Sequence, residues 1–278
     1  MPLVFLNFVG CLPAQVDIRA VRRFARAPIL LTLAMSRFRA AAIHLGLCAV
    51  VALALLALFW FVWYPSPLFK AVGGFEIFLM LLAIDVTLGP LLTLVVFKVG
   101  KKTLKFDLAI IGLIQVAALA YGVYTLLIGR PVYVASLGNR FAVIQANEVE
   151  EKELLAAKKS LPWLGPEWVG TKEATDKNER ERVLFSGLGG AGYGNFPQHH
   201  APLESMREEI LRNAAPMSLL RKRNPKQNAE ITAWLNQRGY SDDAVVYQAL
   251  IARAQYMSVI LDAKTAKVIG IAPFKPHG

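Results

Sequence analysis

Three apolar runs, residues 43–64, 75–97 and 108–128, fill most of the first 129 positions, and each is long enough to cross a bilayer. The first holds 22 residues with no Asp, Glu, Lys or Arg and with His44 as its one histidine. A helix of that length rises about 33 Å, against a hydrocarbon core of about 30 Å. Trp60, Trp63 and Tyr64 gather at the end of the first run as an interfacial aromatic belt. Pro65 and Pro67 then stop the helix. The run is too long for a signal peptide and no A-x-A-like site follows it, so we expect it to remain as an anchor.

From Arg130 onward the chain is mixed, polar and punctuated by Pro and Gly. Those roughly 150 residues suffice for a core of their own. The net charge of +11 is uneven: 11 Lys+Arg stand against 4 Asp+Glu before residue 130, and 20 against 16 from residue 130 on. The excess therefore borders the membrane runs, where it sets topology. A nucleic-acid binder would carry it on the polar domain instead, and the short run Arg221-Lys222-Arg223 is read as a solvated surface patch. Arg19, Arg22, Arg23, Arg26, Arg37 and Arg39 precede the first span, and Lys98, Lys101, Lys102 and Lys105 lie between the second and third. Only Lys70 lies between the first and second. The amino terminus and the second loop are expected to be cytoplasmic and the final domain periplasmic. Of the two cysteines, Cys48 lies inside a span, so no disulfide with Cys11 is expected.

The first 34 residues are an apolar stretch followed by a basic one. Met35-Ser36-Arg37-Phe38-Arg39 is itself a natural basic start for a membrane protein. We expect 1–34 to be a non-native or disordered extension; the alternative is a short interfacial amphipathic helix. The membrane domain is then 35–129 and the periplasmic domain 130–278.

In the final domain, 131–135 and 141–145 are β-type runs about a Leu137-Gly138-Asn139 turn. Asn147 with Glu150 resembles a capping box opening a helix over 148–159. Helical patterns follow at 203–213 and 226–237, and 256–261 with 267–272 form a closing hairpin. The fold expected is three transmembrane α-helices followed by a small α+β extracytoplasmic domain.

Little in the domain has the pattern of catalysis. Gly187-Leu188-Gly189-Gly190-Ala191-Gly192 lacks the Gly-Lys-Ser/Thr of a phosphate loop and is expected to be a flexible loop. His199 and His200 are adjacent, have no Cys or third His nearby, and are expected to be exposed loop residues. No nucleophile–base set can be assembled, so no catalytic residue, cofactor or metal is expected. Trp163 and Trp168, bracketing Gly165-Pro166, are candidates for core packing or for anchoring a partner.

Asp85-Val86-Thr87-Leu88-Gly89-Pro90 places a carboxylate and a helix-breaking pair in mid-span. A carboxylate there is costly in either protonation state, and Pro90 leaves a backbone carbonyl without its helical donor. Asp85 lies about 18 Å from the cytoplasmic end of its span, and Gln115 about 12 Å along the third. We expect Gln115 to hydrogen-bond Asp85, and His44, at the cytoplasmic edge, to lie too shallow to be its partner. The pair either ties the bundle together or receives a polar group on a partner's membrane helix; a lone carboxylate without a relay argues against transport. Asp85, Thr87, Gly89, Pro90, Gln115, Trp163 and Trp168 are the candidate partner-binding residues.

Arg37-Phe38-Arg39 before His44-Leu45, the exit Trp63-Tyr64-Pro65-Ser66-Pro67-Leu68-Phe69, the Gly73-Gly74 turn, Asp85 through Thr93, and the closing Val259-Ile260-Leu261-Asp262-Ala263-Lys264-Thr265 resemble bacterial type IV pilin accessory proteins. The resemblance runs from about Met35 to Pro276. It implies a multi-pass inner-membrane protein that assists type IV pilus assembly or function, not an enzyme. The implied partner is the pilin, whose single membrane helix typically carries a glutamate and whose head lies in the periplasm. A membrane-anchored ligand sensor is the alternative, and a pilin-modifying enzyme a more distant one.

Overall fold

The computed structural model describes residues 36–186 and 192–277. The extension 1–34 and residues 187–191 of the Gly-rich segment lie outside the described residues. Among the described residues, three helices are long and apolar enough to cross a membrane: Arg37–Trp63, Gly74–Val96 and Leu104–Ile128. Ser36 opens the first, its Oγ accepting from the Arg39 N–H at 3.3 Å. The last turn of that span, Phe59–Trp63, is π-helical, and the Tyr64 N–H donates to the Phe59 carbonyl at 2.7 Å. Gly73, at φ +78°, starts the second span in a conformation that disfavours a side chain. Asp107 anchors the start of the third, accepting from the Thr103 hydroxyl at 3.0 Å and pairing with Lys101 at 2.7 Å.

The second span is not uniform. Its α-helix over Gly74–Ala83 widens to a π-helical turn at Ile84–Leu88 before α-helix resumes at Gly89–Val96. Pro90 explains the position, since its ring crowds the preceding turn and it brings no N–H. A widened turn relieves both.

The rest of the chain is a sheet domain. Its strands are β1 Pro131–Ser136, β2 Phe141–Gln145, β3 Glu167–Thr171, β4 His200–Ala201, β5 Ala215–Pro216, β6 Val245–Ile251, β7 Met257–Asp262 and β8 Val268–Ala272. The order is β4-β3-β1-β2-β6-β7-β8, with β5 paired to β6. β1 runs parallel to β3, and β2 parallel to β6, while the remaining pairs are antiparallel. Its helices are α1 Glu151–Ala157, α2 Lys177–Ser186, α3 Arg207–Asn213, α4 Met217–Arg223 and α5 Asn228–Asn236.

The two faces of the sheet have different covers. On one, Tyr247 and Ile260 pack against Met217 and Leu220 of α4 and Ile231 and Leu235 of α5. On the other, Phe141, Val143, Leu250, Val259 and Leu261 share a core with Phe59, Tyr64, Phe69 and Leu126 at the span ends. Polar bonds close the same junction. Tyr64 Oη donates to the Leu126 carbonyl at 2.5 Å, Gln145 Nε2 to the Gly129 carbonyl at 2.6 Å, and the Ala254 and Gln255 N–H groups to the Ala71 carbonyl at 2.9 and 3.0 Å. The core of the sheet domain therefore crosses residue 130 into the membrane helices.

Several local expectations change. The capping box lies earlier, on Gln145 and Glu148, and opens a 3₁₀ turn at Ala146–Glu148; the Glu148 carboxylate accepts from the Gln145 N–H at 2.7 Å, and α1 begins only at Glu151. β3 and β6 were not expected. β6 is a central strand packed from both faces, so it lacks the alternation that marks a half-exposed strand. The Asp262 turn forms as expected, Oδ1 accepting from the Lys264 and Thr265 N–H groups at 3.0 and 2.8 Å.

His199 and His200 are not exposed loop residues. His199 Nε2 bonds Glu179 at 3.1 Å, and His200 lies edge-on to Tyr133 at 4.6 Å while its Nε2 donates to the Gly194 carbonyl at 2.9 Å. Arg221 and Arg223 are also structural. Arg221 forks onto Asp242 at 2.5 and 2.7 Å, and Arg223 donates to Tyr247 Oη at 2.9 Å.

Candidate functional site

Asp85 falls in the π-helical turn, whose widening turns its main-chain carbonyl towards the third span. Gln115 Nε2 donates to that carbonyl at 3.3 Å. The two residues do meet, as depth along the helices suggested, but through the backbone of Asp85 and not its carboxylate. Asp85 Oδ1 and Gln115 Oε1 are both buried and have no hydrogen-bond partner among the described residues. Gly89 makes the approach possible, because a Cβ there would stand 1.9 Å from Gln115 Nε2.

Asp85 and Gln115 border a cavity of about 210 Å³ between the three spans, walled by Leu47, Val51 and Val116 among other apolar groups. On the far side of Leu81, Asp85 also borders a second cavity of about 350 Å³ between the second and third spans, with Met80, Ile84 and Tyr121 on its walls. Gly122 lets Leu81 seat against the third span, since a Cβ at Gly122 would stand 1.9 Å from Leu81 Cδ1.

As its depth suggested, His44 does not bond Asp85. It lines the same cavity as Asp85, and its Nδ1 meets the buried Thr93 hydroxyl at 2.7 Å. Thr93 lies eight residues beyond Asp85 along the second span, so His44 stays near that end, and it is the length of the cavity along the spans that brings both residues to its walls. Cys48, one turn on, lies 3.9 Å from Gln115 Nε2. Sequence reasoning missed His44 and Cys48 as cavity residues, although their i, i+4 spacing on one helix face was a usable signal.

Of the seven candidates, Asp85, Gly89 and Gln115 converge. Pro90 is buried beside them and shapes the turn. Thr87 does not join: it is exposed on the outer face of the span, and its hydroxyl donates to the Ala83 carbonyl one turn back. Trp163 and Trp168 lie at the other end of the spans. Trp163 packs edge-on against Trp63 at 6.1 Å, and Trp168 against Phe141 at 5.7 Å.

This arrangement suits recognition within the membrane. Besides His44 and Cys48 the cavity is apolar apart from two uncommitted acceptors, so it suits apolar side chains of a helix that carries one hydrogen-bond donor at matching depth. Among the described residues no group of three or more His, Cys, Asp or Glu is placed to hold a metal.

Comparison with known proteins gives a consistent set. The family model described as Fimbrial assembly protein FimB matches residues 33–73, which include the first span and the turn after it. The fimbrial assembly protein of serogroup E1 from Dichelobacter nodosus is 29% identical over 227 residues, 79% of this chain and 88% of that protein. The protein of serogroup I is equally similar, 29% over 227 residues with the same coverage. The protein of serogroups C1 and C2 is 35% identical over 114 residues, 40% of this chain and 87% of that protein. No solved structure matches.

Proposed function

The chain belongs to the fimbrial assembly protein family, and from that premise we propose that it is an inner-membrane accessory protein that binds the type IV pilin before or during polymerisation. Its role is to hold, not to catalyse. The amino terminus and the loop carrying Lys98, Lys101, Lys102 and Lys105 face the cytoplasm, and the sheet domain lies in the periplasm, in keeping with the placement of basic residues. The pilin's membrane helix lies in the groove between the spans, and the sheet domain stands beside the pilin head.

The observation that carries this reading is the pair of unpaired acceptors, Asp85 Oδ1 and Gln115 Oε1, inside an apolar groove. With the carboxylate ionised both oxygens only accept, so they call for a donor, which the protonated carboxyl of a glutamate on the pilin's membrane helix supplies. A photoreactive residue in place of Val116, on the wall of the groove, is expected to cross-link to pilin in cells. Abundant protein with working pili and no such cross-link would count against the reading. Asp85→Ala removes the acceptor without adding bulk to the cavity. It is expected to weaken capture about tenfold, the equivalent of about 1.4 kcal/mol for one hydrogen bond, and to lower surface pilin while chain abundance is kept.

A further inference from the structure

Residues 161–166, which join α1 to β3, lie level with the ends of two spans. Trp163 packs against Trp63, the last residue of the first span, with ring centroids 6.1 Å apart. The Arg130 guanidinium stands 5.1 Å from the Trp163 ring centroid. The same guanidinium donates to the Leu127 carbonyl at 2.8 Å, in the last turn of the third span, and to the Pro162 carbonyl at 3.3 Å. A Cβ built on Gly165 would stand 3.6 Å from the Val62 carbonyl. Contacts to two span ends thus fix the height of the loop where the hydrocarbon gives way to headgroups.

At that height the loop turns apolar groups outward. Trp163 is 61% exposed and Leu164 is 80% exposed. Their surface continues that of the first span, because Leu164 and Phe61 border the same cavity and Phe61 is 79% exposed on the membrane helix. An indole backed by a guanidinium suits the headgroup zone, where one end of a side chain is apolar and the other wet. Leaving a leucine in water forgoes a favourable burial that lipid at this depth offers.

We propose that residues 161–166 dip into the leaflet on the sheet-domain side, with Leu164 at the acyl boundary and Trp163 among the headgroups. The partner is the lipid surface itself. The loop is a second point of membrane attachment beyond the spans, and it fixes the tilt of the sheet domain over the bilayer. The proposal rests on the three helices crossing a membrane.

The test uses the full chain with Cys11→Ser and Cys48→Ser, reconstituted in phosphatidylethanolamine–phosphatidylglycerol vesicles. Single cysteines at Leu164→Cys, Phe61→Cys and Thr232→Cys carry an environment-sensitive fluorophore. Lipids bearing nitroxides near the headgroup or in mid-chain report its depth. Thr232 is the water reference, because α5 covers the sheet face turned away from the spans. The Leu164 label is expected to show blue-shifted emission and strongest quenching by the shallow nitroxide, at a depth of roughly 5–10 Å. Emission and quenching equal to those at Thr232, with the Phe61 label still quenched by lipid, overturn the proposal and leave the spans in place. Water-like behaviour at both Leu164 and Phe61 overturns the membrane reading as well. A Leu164 label that stays water-like until pilin is added assigns the surface to a protein and overturns the lipid proposal.

Discussion

Gly89 specifies a single hydrogen in the membrane half. Any Cβ at that position meets the Gln115 side-chain amide at 1.9 Å. Because the obstructing atoms end a flexible side chain, Gly89→Ala is expected to evict Gln115 rather than to part the helices. The cost is the Gln115–Asp85 hydrogen bond, about 1 kcal/mol, read as a lower thermal midpoint in detergent. Gly112→Ala is the control: it borders the same groove, a Cβ there meets nothing within 4 Å, and no change is expected. Asp85 and Gln115 were legible in the sequence because polar groups in an apolar run stand out. The atom that Gln115 reaches was not, since it depends on the π-helical turn exposing a main-chain carbonyl.

At the scale of elements, α2 is held to its neighbours by charge. Arg182 bonds Glu153 at 2.6 and 3.2 Å and Glu179 at 2.7 and 2.8 Å, while His199 also bonds Glu179. The Arg182 guanidinium, and then His199, hold the Glu179 carboxyl down at about 2, below its ordinary 4.5. Burial pushes His200 down from 6.5 to about 4, against the opposing pull of its bond to the Gly194 carbonyl. Both groups are depressed in the folded state, so each adds stability that is present above its ordinary value and lost as pH falls. Stability is expected to decline first between about 6.5 and 4, through His200, and again between about 4.5 and 2, through Glu179. Thermal unfolding of the full chain across this range measures it. His200→Gln should flatten the upper limb and leave the lower, and an unchanged upper limb would show that His200 is not its source. None of this was legible in the sequence, where His199-His200 has the composition of an exposed loop and its partners lie far along the chain.

For the whole molecule, the shared core decides behaviour. Phe141, Val143, Leu250, Val259 and Leu261 line a sheet face whose cover is Phe59, Tyr64, Phe69 and Leu126. A chain cut at residue 130 leaves that face in water, a contiguous apolar patch of the kind that drives association. Residues 130–278 expressed alone are expected to elute as aggregates in size-exclusion chromatography, while the full chain in detergent does not. A monodisperse, folded fragment would show that the sheet domain closes its core without the spans.

The sequence by itself determined the three spans, the basic clusters at their ends, and the pairing of Asp85 with the third span. Each of these follows from local arithmetic: apolar length against bilayer thickness, basic residues at run ends, and depth along a helix. Both hairpins were legible for the same reason, since alternation and turn residues are short-range signals. Tertiary structure alone decided that His44 reaches the Asp85 cavity, that the buried strand β6 lies at the centre of the sheet, and that the sheet domain is seated on the ends of its own membrane helices. Those outcomes join residues far apart in the chain, and no local pattern records which distant face will cover them.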